Sequence, residues 1–384
     1  MEYTKIEGKS TGYYGLIAIF GILAAIGISE FFRMLKMGQG DIGISDRVPW
    51  GITIAFIEFM KGASVGLLFL SILGYVYGKD DYRSISRVSA FLAIILLIGA
   101  MVTIVGEIGK PARFVYAFIY GLENLSSIFA INAFLYTGYL LASIAYLWSM
   151  FGEKNQLSRN LGIAAALLGA TIAIAGGKTF GFMIGRELWF SPLLPLLFIV
   201  IAFVTGTSVL ILVLTATARF TGKPLDEKLV IGLGKYLLSL LLAATLFVLI
   251  EILVRAYGNE GGSEGLKFFL TGPYSSVFWI GQILLGIIVP VGILLSSAGK
   301  TLYGIAAASL LSLIGALAEK SSLIIAGQDL TQQQVVGRIL MGFEGEPAFY
   351  SVSTGEIAFV LGVMGGVGIL YLVGLRTIKL LPSH

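Results

Sequence analysis

Long uninterrupted apolar runs constrain this chain more than any other feature. Ten stretches, near 13–32, 51–77, 87–107, 128–150, 160–181, 193–216, 235–256, 277–296, 301–320 and 356–376, are long enough to cross a membrane as helices. About 20 residues rising 1.5 Å each span a hydrocarbon core. With 57% hydrophobic and only 12% charged residues among 384, the expected class is an all-α polytopic membrane protein of about ten transmembrane helices. The first run follows Lys5 and Lys9 as a signal peptide would, but it is long and ends in Ser29-Glu30-Phe31-Phe32-Arg33 without a small-x-small cleavage site. It reads as a retained helix. Ten crossings leave both termini on one side.

The side follows from the basic residues. The loops on the side of the termini carry 14 Lys and Arg against 11 opposite, with Lys61 inside a span. That bias puts the termini in the cytoplasm of a cell-membrane protein. The outer face then has the longer loops, 109–127 and 328–356, and more surface for a partner. The absence of cysteine excludes disulfides, iron–sulfur ligation and thiolate-bound metal in this chain. His384, the only histidine, reads as a solvated tail residue, so no haem between paired histidines and no metal site are expected.

Sliding the sequence against itself by 144 residues superposes Phe59, Gly62, Ser64, Val65, Gly78 and Lys79 on Phe203, Gly206, Ser208, Val209, Gly222 and Lys223, and Glu107 on Glu251. The shift covers four helices, an even number, so the two copies point the same way. The expected organisation is a peripheral first helix and loop (1–50), a first four-helix bundle (51–192), a second, parallel-related bundle (193–327), and an outer loop with a peripheral last helix (328–384).

Polar residues inside the spans carry the functional signal, because an ionised group at bilayer depth costs about 2.5–3.5 kcal/mol on insertion scales. Glu58 and Lys61 lie three apart on one face of the second helix. They make a structural ion pair, a proton-handling site, or both. Pro111 ends the third helix and leaves Glu107 in its last turn, at the stretch Val105-Gly106-Glu107-Ile108-Gly109-Lys110-Pro111-Ala112-Arg113-Phe114. Glu58 lies about 12 Å below the outer surface. Glu107 and Lys178 end the outward-running third and fifth helices, so the three groups are expected to share one outer-half pocket. Arg113, Arg186 and Glu187 sit in the loops above it. The second bundle repeats this pattern with Thr207, Glu251, Arg255, Glu319 and Lys320, but has Ala202 and Thr205 in place of the Glu58–Lys61 pair. It reads as a proton path or a structural copy. Gly62-xxx-Gly66 and Gly181-xxx-Gly185 read as close helix packing. Trp50, Trp189 and Trp279 read as interfacial anchors, with Trp50 also a candidate for the pocket mouth.

These residues resemble the polysulfide reductase membrane-subunit (NrfD-type) family. Glu107-Ile108-Gly109-Lys110-Pro111-Ala112-Arg113-Phe114 is similar to its acid-x-Gly-basic-Pro-x-Arg-Phe segment at the outer end of a helix. Asn124-Leu125-Ser126-Ser127 is similar to the serine-containing turn that follows, and Trp50-Gly51 with Gly62-xxx-Gly66 to its Gly-rich quinone-side helix. Glu187-Leu188-Trp189-Phe190-Ser191-Pro192-Leu193-Leu194-Pro195 is similar to its Trp-then-Pro entry to the next helix. The resemblance implies a haem-free subunit that exchanges electrons between a menaquinone-like membrane quinone and an iron–sulfur protein, itself attached to a molybdopterin catalytic subunit, with no nucleic acid involved. A family histidine falls near Ile57 or Glu58 here, and a family tyrosine near Lys178 or Thr179, so Glu58 and Lys178 stand as substitutes.

On this reading Glu58 handles protons and Lys61 relays them inward. Trp50, Glu58, Glu107, Lys178 and Thr179 contact quinone, and Lys110, Arg113, Ser126, Ser127 and Arg186 meet the iron–sulfur partner. Glu251, Arg255, Glu319 and Lys320 form the proton path. Repeated bundles with intramembrane charges equally allow a secondary transporter, although Pro290 is the only proline well inside a span. An inert anchor leaves Lys61 unexplained.

Overall fold

The computed structural model describes residues 3–38, 43–44, 48–124, 126–152, 155–186, 188–222, 225–257, 260–335 and 350–382. Leu125, Glu187, His384 and the stretch 336–349 of the expected outer loop lie outside them. Among the described residues, ten helical segments are long and apolar enough to cross a membrane, and the chain is an all-α polytopic membrane protein.

In chain order the spans are α1 (Thr11–Met37), α2 (Ile52–Tyr75), α3 (Asp80–Glu107), α5 (Ile128–Phe151), α6 (Asn155–Gly181), α7 (Leu194–Thr221) and α8 (Glu227–Ala256). A π-helical segment, Val277–Ile288, continuing into α10 (Val289–Leu295), then α11 (Leu302–Val335) and α12 (Thr354–Thr377), complete the set. A short α4 (Tyr116–Ile119) lies between α3 and α5, and α9 (Glu260–Thr271) follows α8. Local chemistry sets the ends. The side chains of Ser10, Ser127, Asp226 and Ser353 accept hydrogen bonds from the first-turn amides of α1, α5, α8 and α12. Pro111 stops α3 as expected, opening a 3₁₀ turn through Val115 after Gly109 at φ +68°.

α3 and α8 begin seven and eight residues before the expected runs, and two elements differ in kind or at their far end. The ninth span does not stop near residue 320 but reaches Gln328, because Ser321, Ser322 and Gln328 are buried against other helices rather than wetted at a surface, and its helix runs on to Val335. The segment before the eighth span, expected as a loop, holds α9.

α2 is the hub, packed on α3, α6, α7 and α11. Lipid offers no hydrophobic drive between helices, so close backbone approach has to supply the attraction. A Cβ added at Gly66 would lie 2.1 Å from the Ala202 carbonyl oxygen, and one at Gly206 2.5 Å from the Gly66 carbonyl carbon. Gly62 meets α7 only at ordinary distance, and Gly181 abuts the Ser191 carbonyl in the segment that leads into α7, while Gly185 meets nothing, so these two motifs act through one glycine each. Gly27 against Gly362 joins α1 to α12 in the same way. α5 is keyed to α2 by three hydroxyls at one constant offset of 75 residues. Lys61 donates to Tyr136 Oη at 3.1 Å, Tyr139 Oη to the Ser64 carbonyl at 3.1 Å, and Ser71 Oγ to Tyr146 Oη at 3.3 Å. At the other end of the molecule, β1 (Tyr3–Thr4) pairs antiparallel with β2 (Leu381–Pro382), so the described ends of the chain meet on one face. The opposite face is called distal below.

Candidate functional site

Where α2, α3, α5 and α6 approach the distal face they leave a cavity of about 540 Å³. That is within the usual span of small-molecule sites, about 300–1,000 Å³. Ile54, Ile57, Met101, Ile104, Phe129 and Phe180 make an apolar slot, and Glu58, Glu107, Asn132, Tyr136 and Thr179 are its polar groups. Trp50 closes one side: its ring stacks on Trp189 at 5.7 Å and meets Phe129 and Phe180 edge-on. Trp50 therefore lines the mouth. Trp189 is not an interfacial anchor, because it is buried behind Trp50 with Nε1 donating to the Leu323 carbonyl at 2.7 Å. Trp279 stays half-exposed, as an anchor does.

Glu58 and Lys61 form the deepest polar feature. The Lys61 ammonium lies 2.5 Å from both Glu58 oxygens, and both side chains are buried. Tyr136 Oη accepts a further lysine proton, which leaves the phenol's own proton to donate. One turn before Tyr136 on α5, Asn132 is buried with no hydrogen-bond partner on Oδ1. A buried amide oxygen without a partner costs about 1–3 kcal/mol. A ligand with a hydroxyl to donate satisfies it. Neither Asn132 nor Tyr136 is among the sequence-derived site residues. A signal for them exists in two polar residues four apart on an apolar helix, in line with Tyr139, Ser143 and Tyr146.

Glu107 lines the rim from the end of α3 and faces Thr53 on α2 and Glu356 on α12. Thr179 lines the wall, its hydroxyl bonded to the Ala175 carbonyl. Lys178 does not share the pocket. It is exposed, 6.0 Å from the outward Phe182 ring, because Ala173, Gly176, Gly177 and Phe180 form the inward stripe of α6 and the 100° helical step turns residue 178 away from it.

The second set of charges meets the first. Lys320 is buried, 2.9 Å from Glu319 and 3.2 Å from the centre of the Phe198 ring. It shares with Glu58 and Lys61 a void of about 10 Å³, roughly the space of one water. Glu319 also borders a further cavity of about 60 Å³, with Gln282 of the π-helical segment, Glu251 and Arg255. There Glu251 accepts from Arg255 Nε at 2.9 Å and from Ser191 Oγ at 2.6 Å.

At the distal surface Lys110 and Arg113 are exposed. Ser127 caps α5, and Ser126 donates to Asn124 Oδ1 at 2.6 Å. Arg186 is turned inward, donating to the Gly327 and Gln328 carbonyls and lying 4.7 Å over Trp189. Its guanidinium is committed to backbone carbonyls of α11.

Residues 40–331 match the family model described as polysulphide reductase, NrfD. The chain is 33% identical over 390 residues to the Hdr-like menaquinol oxidoreductase integral membrane subunit of Archaeoglobus fulgidus, covering all of this chain and 98% of that protein. It is 25% identical to the menaquinone reductase integral membrane subunit of Nitratidesulfovibrio vulgaris, over 60% of each protein. Identity to a polysulfide reductase subunit of Wolinella succinogenes is 24%, over 66% of this protein and 84% of that one.

Proposed function

The chain belongs to the polysulphide reductase NrfD family, and from that premise we propose that it is the quinone-reactive membrane subunit of a multisubunit oxidoreductase, its substrate a menaquinone-like quinone. The cavity carries this reading. It is an apolar slot of about 540 Å³ that ends on a buried carboxylate–lysine pair and an unsatisfied amide. Oxidising a quinol removes two electrons and two protons, so the site needs proton acceptors at the ring hydroxyls and an apolar bed for the rest. Glu58 is the acceptor at the deep end and Glu107 the acceptor at the rim, with Asn132 and Tyr136 fixing the ring oxygens. The electrons pass to an iron–sulfur partner attached to a molybdopterin catalytic subunit. The relatives named above are redox subunits, and this sets the transporter reading aside.

Lys61 passes protons from Glu58 across the small void to Lys320 and Glu319, and from there to Glu251 and Arg255. The partner docks at the distal face, outside the cytoplasm, on Lys110, Arg113 and the Asn124–Ser127 turn. Charge reversal at Arg113 is expected to release the iron–sulfur partner during purification. A full complex with normal activity in that variant would instead favour phosphate headgroups as the ligand of Lys110 and Arg113.

The test of the site is quinol kinetics on the purified membrane complex. Asn132→Leu removes one hydrogen bond to the ring and is expected to raise KM for a menaquinol analogue about tenfold, the effect of roughly 1.4 kcal/mol, with turnover of a soluble dye unchanged. An unaltered KM would place the quinol elsewhere.

A further inference from the structure

Behind Glu107 a second carboxylate is buried, on a helix expected at the periphery. Glu356, in the first turn of α12, is fully buried. Its Oε1 accepts from Tyr350 Oη at 2.7 Å, and its Oε2 from the amide and hydroxyl of Ser353, both at 3.0 Å. The Tyr350 hydroxyl also accepts from the Ile52 amide at 2.8 Å, so one phenol joins the C-terminal helix to the first turn of the helix that bears Glu58. Burial raises the Tyr350 phenol far above its ordinary range, which keeps it a donor to the carboxylate. Gly51 makes the room, since a Cβ there would lie 2.2 Å from Glu356 Oε1 and 2.6 Å from Tyr350 Oη.

Glu107 faces this cluster from α3, and the two helices touch where a Cβ on Gly106 would lie 2.5 Å from the Phe359 ring. Among the described residues, the other charged groups nearby are Glu30 and Arg33 of α1, an ion pair beside Gly355. Tyr274 Oη approaches from the other side, accepting from the Tyr350 amide at 3.4 Å. Among the described residues Glu356 is held by hydroxyl and amide donors and forms no ion pair with Lys or Arg.

Resting on the quinone reading above, we propose that Glu107 and Glu356 act as a carboxyl pair that takes the second proton of each quinol and releases it at the distal face, while Glu58 takes the first. The quinol gives up two O–H protons and two electrons. One proton goes to Glu58, one to Glu107, and the electrons go to the one-electron iron–sulfur acceptors of the partner. Glu356, its charge solvated by three donors, is the positioning residue: its negative charge favours a proton arriving on Glu107, and two like charges facing one another resist being ionised together. Tyr350 and Ser353 connect the pair to the distal surface. Quinone reduction runs the same steps backward.

The test is the pH dependence of menaquinol-analogue oxidation by the membrane complex. Glu107 has to be ionised to accept, so turnover falls on the acid side as it protonates. Glu356→Gln removes the charge behind it and is expected to move that fall to lower pH by about one unit, the low end of a charge-partner effect. Glutamine still completes the capping box of α12. A uniform loss of rate with the fall in place means that Glu356 is only structural and overturns the proposal. Should Glu356→Gln not accumulate, Glu107→Gln tests the pair: it is expected to lower quinol turnover by about 10²-fold with dye turnover kept, and quinol turnover at the wild-type rate overturns the pair. If the wild-type complex neither binds nor oxidises the analogue, the quinone reading itself fails.

Discussion

Glu58→Gln is expected to lower quinol-linked turnover by about 10²-fold or more, the usual size of a general-base loss, while the catalytic partner's activity with a soluble dye survives. Glutamine keeps the length of the side chain and still offers Lys61 an amide oxygen, so the local packing is retained. What it removes is a carboxylate that borders the cavity and lies 2.5 Å from a buried ammonium. A purely structural pair makes a different forecast. Removing one partner of a buried ion pair costs roughly 3–5 kcal/mol because the survivor is left uncompensated, whereas replacing both with neutral groups is often tolerated. The double variant Glu58→Gln with Lys61→Met therefore separates the roles. If the pair only holds helices together, the double variant recovers both protein level and quinol turnover. If Glu58 handles protons, the double variant accumulates normally and stays inactive with quinol. Lys61→Met alone then asks about the relay: quinol binding persists, and proton movement coupled to turnover is lost.

The fold was legible because hydrophobic length is a local property. Each apolar run reports its own span, and Pro111 reports the end of α3 without reference to anything else in the chain. The site was legible only in part, for reasons that differ by residue. Glu58 and Lys61 announced themselves as charges where charge is costly, and their three-residue spacing made the pair readable. Lys178 carried the same charge signal but sits at the distal end of α6, where a long cationic side chain reaches out to the surface at little cost. Helical phase, set by the glycine and phenylalanine stripe of the same helix, decided the matter. Asn132 and Tyr136 are uncharged and their depth carries no alarm. Tyr136 enters the site through the constant 75-residue offset between α2 and α5, a relation between helices that no single window displays, and Asn132 follows it one turn earlier on α5. Glu356 was hidden by its position at the start of a helix, where a glutamate ordinarily caps and is wetted. Its burial follows from where α12 docks, against α1 and α3.

Adjacent glycines on α6 are expected to fail in opposite ways when given a methyl group, and the contrast tests how finely the ion pair is placed. A Cβ at Gly177 would lie 2.4 Å from the Cα of Pro195 and 2.8 Å from the Leu194 carbonyl oxygen. Both are backbone atoms of the first turn of α7, and neither yields without moving a helix. Gly177→Ala is therefore expected to part α6 from α7 and to abolish accumulation of the folded protein. A Cβ at Gly176 would instead meet Lys61 Nζ at 2.6 Å and Glu58 Oε2 at 2.7 Å. Those are the ends of flexible side chains, so the helices can stay in place while the charged pair has to shift. Its room to shift is small, because the Phe198 ring stands on the same side and Tyr136 holds the lysine from the other. Gly176→Ala is accordingly expected to yield a complex that assembles and reduces dye at the normal rate, yet oxidises quinol at least 10-fold more slowly, since an ångström of misplacement at a reacting group costs that much or more. Quinol turnover and folded yield, measured side by side for the two variants, decide it. Normal quinol turnover in Gly176→Ala would mean that the Glu58–Lys61 geometry has slack, and proton transfer would then have to be assigned to the rim carboxylates instead.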